Sequence, residues 1–366
     1  MAFVKSLTEL LCRSNKVILI NIRKCSLDAK YKEKTHIPDP NFLQRLLKVA
    51  VIGMPNVGKS TFINYLMDRK VCPASSKVHT TRQKSCAIFT ENDAQIIFLD
   101  TPGLVNDRER KRYKLEHTFI DDSNASLNQA DIISVIHDVS NFWQRDRLDI
   151  KIIKLLGKHI EKPSILILNK VDAVKSKRKL LDITRGVTEN CLKGKPISGY
   201  NEKMLKYNEV MSESMDNKKG WPYFSEVFMV SALTGNGLPE VKQYLMKEAK
   251  PNPWIYPDDV WSDQTAENII VASVKAKFLD FIPQEIPYGL KPCMEYFNVD
   301  EKGGITTVVL VTCPTERIRK LVSGVSDGKI RQITESIQED LQNTFHNFVR
   351  IKIVLETPKQ EIKKNT

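Results

Sequence analysis

Gly53, Met54, Pro55, Asn56, Val57, Gly58, Lys59 and Ser60, followed by Thr61, have the types and spacing to hold phosphates. Glycines at both ends let the backbone bend tightly, so successive N–H groups converge on phosphate oxygens. Lys59 is placed to bridge β- and γ-phosphates, and Ser60 to give a hydroxyl to Mg²⁺. The flanking elements are readable. Val49, Val51 and Ile52 end a buried strand, and residues 62–66 continue as a helix whose positive end faces the same anion.

Three further stretches name the nucleotide. Asp100, Thr101, Pro102 and Gly103 follow an apolar run at 96–99. A carboxylate at that strand end can hold the Mg²⁺ shell, and the Gly103 N–H can meet a γ-phosphate. Asn169, Lys170, Val171 and Asp172 follow the apolar run at 165–168. A carboxylate there can accept both guanine N1–H and N2–H₂, a donor pair that adenine lacks. Ser231, Ala232 and Leu233 follow 227–230 and offer a backbone N–H for guanine O6. Each motif is weak singly, but together and in this order they point to a guanine-nucleotide domain, with ligands gathered at strand carboxyl ends.

The order of these motifs, with His79, Thr80, Thr81 and Arg82 between the first two, resembles the Era family of GTPases in its mitochondrial form. The resemblance spans about residues 46–356. It implies an α/β P-loop GTPase domain with a mostly parallel, doubly wound sheet, then an α+β KH-like domain of type II. It implies GTP and GDP as ligands with Mg²⁺, held by Ser60, Asp100 and one hydroxyl of the Thr80/Thr81 pair; spacing does not choose between the two. The family has glutamine where His79 stands. Leu104 follows Gly103, so no side chain there orients water as the glutamine of Ras-like proteins does. Related GTPases with an apolar residue at that place use a K⁺ ion, held partly by the P-loop asparagine, here Asn56. The candidate catalytic set is therefore Lys59, Asn56, Thr80, Thr81 and Gly103.

A length of 366 residues is too long for one ordinary core. The formal net charge of +12 suits an anionic partner such as RNA. Seven cysteines form no CxxC pair and no zinc spacing, which reads as buried small hydrophobes or thiols in a reducing compartment. No apolar run of about 18 residues is present, so no membrane-spanning helix is expected. Residues 1–36 carry eight basic and three acidic residues with Phe3, Leu7, Leu10 and Leu11 on one helical face, the composition of a mitochondrial presequence. A disordered basic tail or an interfacial anchor is the other reading.

The expected organisation is a presequence at 1–45, a GTPase domain at 46–250, a linker at 251–265, a KH-like domain at 266–356 and a tail at 357–366. Within the GTPase domain, 105–118 form a charged second switch, 130–138 a strand and 148–156 a helix. Residues 173–225 are too long for a plain connection, and about 185–220 read as an insertion. The run at 175–179 is basic: a solvated helix end or an RNA contact. Residues 238–248 close the domain as a helix.

Past the proline-broken stretch at 251–257, a helix at 267–281 and strands at 290–299 and 306–313 are followed by helices at 316–322 and 329–345 and a strand at 348–355. That order is a KH fold. Such folds clamp RNA backbone with a GXXG loop between two helices. Here Gly324 takes the first glycine's place, Asp327 falls on the second, and Gly328 comes one place late. A carboxylate beside a phosphate is unfavourable. Arg317, Arg319, Lys320, Lys329 and Arg331 gather near Gly324 and Gly328 as candidate RNA contacts. Yet residues 254–366 hold 14 basic and 16 acidic residues, so the positive surplus lies before them.

The resemblance then implies a GTPase of the mitochondrial matrix, or peripheral to the inner membrane, that binds small-subunit ribosomal RNA and assists its assembly. No stable oligomer is expected. A membrane-bound signalling switch and a nucleotide-gated protein scaffold are the alternatives.

Overall fold

The computed structural model describes residues 43–72, 85–100, 126–197, 218–283 and 285–358. Its first sheet is built on β1 (Arg45–Ile52), RLLKVAVI, a strand apolar on both faces as a central parallel strand must be. Around it stand β2 (Ser85–Glu91), β3 (Ala94–Asp100), β4 (Ile132–Asp138), β5 (Ser164–Asn169) and β8 (Phe224–Met229) in the order β2-β3-β1-β4-β5-β8. All are parallel except the edge strand β2. A two-residue strand β9 (Lys250–Pro251) runs antiparallel to the start of β1. Successive strands depart to opposite sides of β1, which opens a crevice at its carboxyl end.

The period of two along β1 feeds two cores. Val49 and Val51 point to the side packed by α1 (Lys59–Met67) and α4 (Leu238–Glu248), through Phe62, Ile63, Leu238 and Val241. Ala50 and Ile52 point to the side packed by α2 (Ile150–Lys158) and α3 (Lys177–Val187). Two expected boundaries move, each for a local reason. The strand expected from 130 starts at Ile132, because the Ala130 N–H closes a turn on Ser126 O and Leu127 O. The helix expected from 148 starts at Ile150, because the Asp149 side chain accepts from Lys151 N and caps it.

Helix α3 was not foreseen as an element; Ser176 caps it, and Leu180, Ile183 and Val187 form its buried stripe. The chain then makes a small hairpin, β6 (Cys191–Leu192) with β7 (Lys195–Pro196). It returns where it left: Trp221 N donates to Val187 O at 2.9 Å. The expected insertion is thus tied at its base, and its residues 198–217 lie outside the described ones.

The second sheet orders β10 (Lys291–Val299), β11 (Ile305–Thr312) and β12 (Val349–Glu356), with β10 antiparallel and β12 parallel to β11. Helices α5 (Ala266–Phe281), α6 (Glu316–Ser323) and α7 (Gly328–Phe345) complete the α-β-β-α-α-β order of a KH-like fold. Ile333, Ile337, Leu341 and Phe345 recur every four residues on α7 and bury one stripe.

The segment joining the two folds is stitched down. Gln95, fully buried, accepts from Ile255 N and Tyr256 N and donates to Tyr256 O at 2.8 Å. Burial pushes the Tyr256 phenol up to about 12. Ile88 N bonds Trp261 O, and Cys86 N bonds Asp263 Oδ1 at 2.8 Å. Past α1, Arg69 donates to Thr344 O, Thr344 Oγ1 to Lys70 O, and Asp340 of α7 takes both Lys70 and Lys277. One helix therefore has its head at the glycine loop and its tail against the KH-like fold.

Candidate functional site: a braced glycine loop and a second glycine-led turn

The glycine loop leaves β1 at the crevice. A Cβ on Gly53 would lie 2.6 Å from Ile136 O and 2.9 Å from Val57 Cγ2, so only glycine fits between loop and β4. Asn56 turns the chain at φ 61°. Gly58 has φ 96°, and a Cβ there would stand 2.4 Å from Asn169 Nδ2. Lys59 is buried and curls back, donating from Nζ to Met54 O at 3.0 Å and Gly53 O at 3.2 Å. Helix α1 starts at Lys59 with no acidic residue in its first turn. Its open N–H groups and positive end therefore face the crevice, a setting for an anion.

The Asn169 side chain is a brace between loops. It is 1% exposed and joins three loops. Nδ2 donates to Val57 O at 2.8 Å, while Oδ1 accepts from Lys170 N at 2.8 Å and from Ala232 N at 2.9 Å. Of the three residues expected to offer guanine O6 a backbone N–H, Ala232 thus already serves Asn169. Ser231 N is likewise taken, by Asn236 O at 2.9 Å, while Leu233 is 81% exposed. Lys170, at φ 65°, reaches from Nζ to Asn56 O at 2.8 Å and Asp138 Oδ2 at 2.6 Å. Asp172 is exposed in a helical turn over Val171–Ala173.

Asp138 is a site residue that the motifs did not bring out. Its signal was available: a carboxylate ending an apolar strand, the same pattern that singled out Asp100. Burial pushes its carboxyl up, but the Lys170 ammonium and the Ser140 N–H and hydroxyl outweigh this and hold it below the usual carboxylate range. It is therefore ionised and anchors Lys170. Asp100 ends β3 directly beside Val51, which brings its backbone to the loop's origin. With the Ser60 hydroxyl in the first turn of α1, the donor types here are hard oxygens, which suit Mg²⁺. His79, Thr80, Thr81, Thr101, Pro102, Gly103, Leu104 and the second switch at 105–118 lie outside the described residues, as do residues 1–42.

The second candidate site is the turn between α6 and α7. Gly324 has φ 78°, and a Cβ there would lie 2.6 Å from Lys329 Cβ. Ser326 and Asp327 both sit in left-handed geometry, at φ 49° and 59°. Asp327 thus occupies the backbone place where a glycine is favoured, while Gly328 is ordinary helix at φ −63° with open space around it. The Asp327 carboxylate takes the Ser323 hydroxyl. Arg317, Lys320 and Arg331 are exposed. Arg319 is less available than expected, because it forks onto Glu316 at 2.6 and 2.8 Å and holds that carboxyl below its usual range.

Comparison with known proteins gives a consistent picture. Residues 48–170 match the family described as 50S ribosome-binding GTPase. The chain is 35% identical over 340 residues to the mitochondrial GTPase Era of Danio rerio, across 86% of this chain and 76% of that one. It is 33% identical over 352 residues to the mitochondrial GTPase Era of Salmo salar, across 86% and 77%. Among solved structures it resembles Era in complex with MgGDPNP and nucleotides 1506–1542 of 16S ribosomal RNA, with a TM-score of 0.66 at 22% identity, over 86% of this chain and 94% of that one. At that identity the likeness speaks to the fold, and it extends through both domains.

Proposed function

Because this chain belongs to the Era family of GTPases and hydrolyses GTP, we propose that it is a nucleotide-switched RNA-binding factor that assists assembly of the small ribosomal subunit in the mitochondrial matrix. One observation carries the reading: α1 begins at the phosphate loop, and the chain leaving its end is bonded to the KH-like fold through Arg69 and Lys70. The relatives named as mitochondrial Era, and the complex of a related fold with 16S ribosomal RNA, support the compartment and the kind of RNA.

In this reading Lys59 holds the β- and γ-phosphates, and the N–H groups from Asn56 to Thr61 cradle their oxygens. Asp172 reads the guanine edge. Ser60, Asp100 and one of Thr80 and Thr81 would hold Mg²⁺, which neutralises charge on the phosphate oxygens when bound. Asn56 would contribute to a K⁺ site that stabilises charge developing at the β–γ bridge. Equal hydrolysis rates in Na⁺ and K⁺ would remove that role. Arg317, Lys320, Lys329 and Arg331 with the Gly324–Gly328 turn would face the RNA backbone. GTP binding at Thr80/Thr81 and after Gly103 would then bias how the KH-like fold sits against the GTPase domain.

Crosslinking of the full chain in mitochondria, followed by sequencing of the bound RNA, tests the proposal. Small-subunit ribosomal RNA should dominate the recovered reads. Its absence would defeat the RNA reading and favour a nucleotide-gated protein scaffold.

A further inference from the structure

We propose that the loop after β4, together with the head of α3, is a second surface for single-stranded RNA, carried by the GTPase domain and separate from the Gly324–Gly328 turn. The inference rests on the RNA-binding reading only in taking RNA as the polymer.

The surface begins with two aromatic side chains that the fold turns outward. Phe142 and Trp143 are 64% and 85% exposed, with rings edge to face at 5.7 Å. They are not on a loose strand of chain. Asn141 Oδ1 accepts Trp143 N at 3.1 Å, and Asn141 O accepts Gln144 N and Arg145 N. Ser140 donates its N–H and hydroxyl to Asp138 Oδ1 at 2.8 and 2.6 Å. Underneath, buried His137 donates from Nε2 to Arg145 O at 2.9 Å. The backbone N–H groups of Trp143, Gln144 and Arg145 are bonded within the turn while its two largest apolar side chains face water. A fold seldom sets such a pair out unless something covers it.

What surrounds the pair is positive. The Arg145 guanidinium lies over the Phe142 ring at 4.7 Å. The head of α3 is tied to the loop by Lys179 and Asp146 at 3.3 Å, which brings exposed Lys175, Lys177 and Arg178 alongside. Leu148 N bonds Lys219 O at 2.8 Å, which adds a further lysine. Asp146 is the acidic side chain within this group, and its partners are Arg145 and Lys179. Lys175, Lys177 and Arg178 belong to the part of the chain before residue 254, which carries its positive surplus.

Flat aromatic faces ringed by lysine and arginine match single-stranded nucleic acid: bases stack on the rings while phosphates meet the cations. A bilayer suits the surface less well. Among the described residues of this loop, Phe142 and Trp143 are the large apolar side chains that protrude, and Asn141 and Gln144 flank them, whereas interfacial binding needs a longer apolar face. The location is also informative. Asp138 and Asn169 are register partners on adjacent parallel strands, so the surface stands at the rim of the nucleotide site.

The test uses the full chain and a fluorescent, unstructured RNA of about 16 nucleotides, a length at the upper end of single-domain sites. The F142A/W143A double variant should bind roughly tenfold more weakly. W143F should retain most of the affinity, since a phenyl ring still stacks. Replacing Lys177 and Arg178 with alanine should lower the salt slope by about one to two. GTP hydrolysis should not change in any of these. RNA should quench tryptophan emission in the parent chain more than in W143F. Unchanged affinity in the double variant would overturn the surface. Affinity lost only on changing Lys329 and Arg331 would sink this surface and leave the proposed function standing. A chain that binds no RNA would sink both. Loss of binding to phosphatidylserine vesicles with RNA affinity intact would replace RNA by a membrane.

Discussion

Two turns in this molecule pose the same backbone problem. Each leads into the head of a helix through a residue in left-handed geometry, Gly58 before α1 and Asp327 before α7, at φ 96° and 59°. Each is a place where a phosphate could meet N–H groups and a helix end. They differ in surroundings. At the first, a Cβ on Gly58 would stand 2.4 Å from Asn169 Nδ2, so that even a methyl group collides. The second is open: Asp327 is exposed and Gly328 has nothing within 4 Å of a built Cβ. Crowding makes glycine obligatory at one turn, while open space lets aspartate, which tolerates left-handed backbone, stand at the other. A phosphate cradle must be rigid because it positions a reacting bond. A loop that grips a flexible polymer has looser demands.

The sharpest way to break the comparison is to place a side chain in the crowded turn. G58A combines a left-handed penalty of about 1–2 kcal/mol with a collision at Asn169. GTP and GDP affinity should fall by at least about a hundredfold. Calorimetric titration would show it, and near-normal affinity would mean that the loop refolds around the methyl. N169A comes next. It leaves Asp172 in place but strands Val57 O, Lys170 N and Ala232 N in or near the interior. Losing such a network costs about 2–4 kcal/mol, so nucleotide binding should weaken about thirtyfold to several hundredfold. If Asn169 served only to read the base, GTP and ITP would be affected differently. A brace predicts equal losses for both.

That second experiment bears on what the sequence could disclose. The strand–loop–helix at Gly53–Thr61, the strand-end motifs and the element order of the KH-like fold were all legible, because each depends on residues close together in the chain. The Asn169 brace was not. Its partners Val57 and Ala232 are distant in sequence, and nothing local separates an asparagine that reads a base from one that holds a loop. Gln95 is similar: within β3 it is a polar residue in an apolar strand, and its role in clamping Ile255 and Tyr256 exists only once the chain returns. Helix α3 was hidden by charge. Its stripe of Leu180, Ile183 and Val187 is short, and the lysines before it masked the cap at Ser176. At the Gly324 turn the structure adds the backbone: Asp327 stands in left-handed geometry, a place where glycine is favoured.

The open turn can be sharpened in the opposite direction. D327G removes a carboxylate from beside the expected phosphate path and suits the backbone already present. It also frees the Ser323 hydroxyl. RNA affinity should rise, by roughly fivefold at low salt and less as salt increases, since the gain is mainly electrostatic. Filter binding across a salt series would measure it. An unchanged affinity would place the RNA backbone elsewhere, as would an equal gain at high salt.

The smallest effect concerns acid and separates two neighbouring residues at the carboxyl end of β4, His137 and Asp138. Burial holds the His137 imidazole below its ordinary value near 6.5, although the Arg145 carbonyl and the charges of Asp138 and Asp146 favour its protonation. The unfolded chain therefore takes up the proton at a higher pH than the folded one. This contribution to stability is complete above the ordinary value and is lost as pH falls through it towards the folded value. Asp138 acts in a lower window, because its carboxyl is held below the usual range by Lys170 and Ser140 and is protonated only in stronger acid. Urea unfolding at about pH 7.5 and about pH 5.5 should show a drop in midpoint for the parent chain and a smaller drop for H137Q, whose amide can still donate to Arg145 O. Nucleotide affinity should hold across the same interval, since Asp138 stays ionised and keeps Lys170 on Asn56. If affinity fell in step with stability, His137 and Asp138 would act as one unit, and the aromatic loop could not respond to acid without disturbing the phosphate cradle.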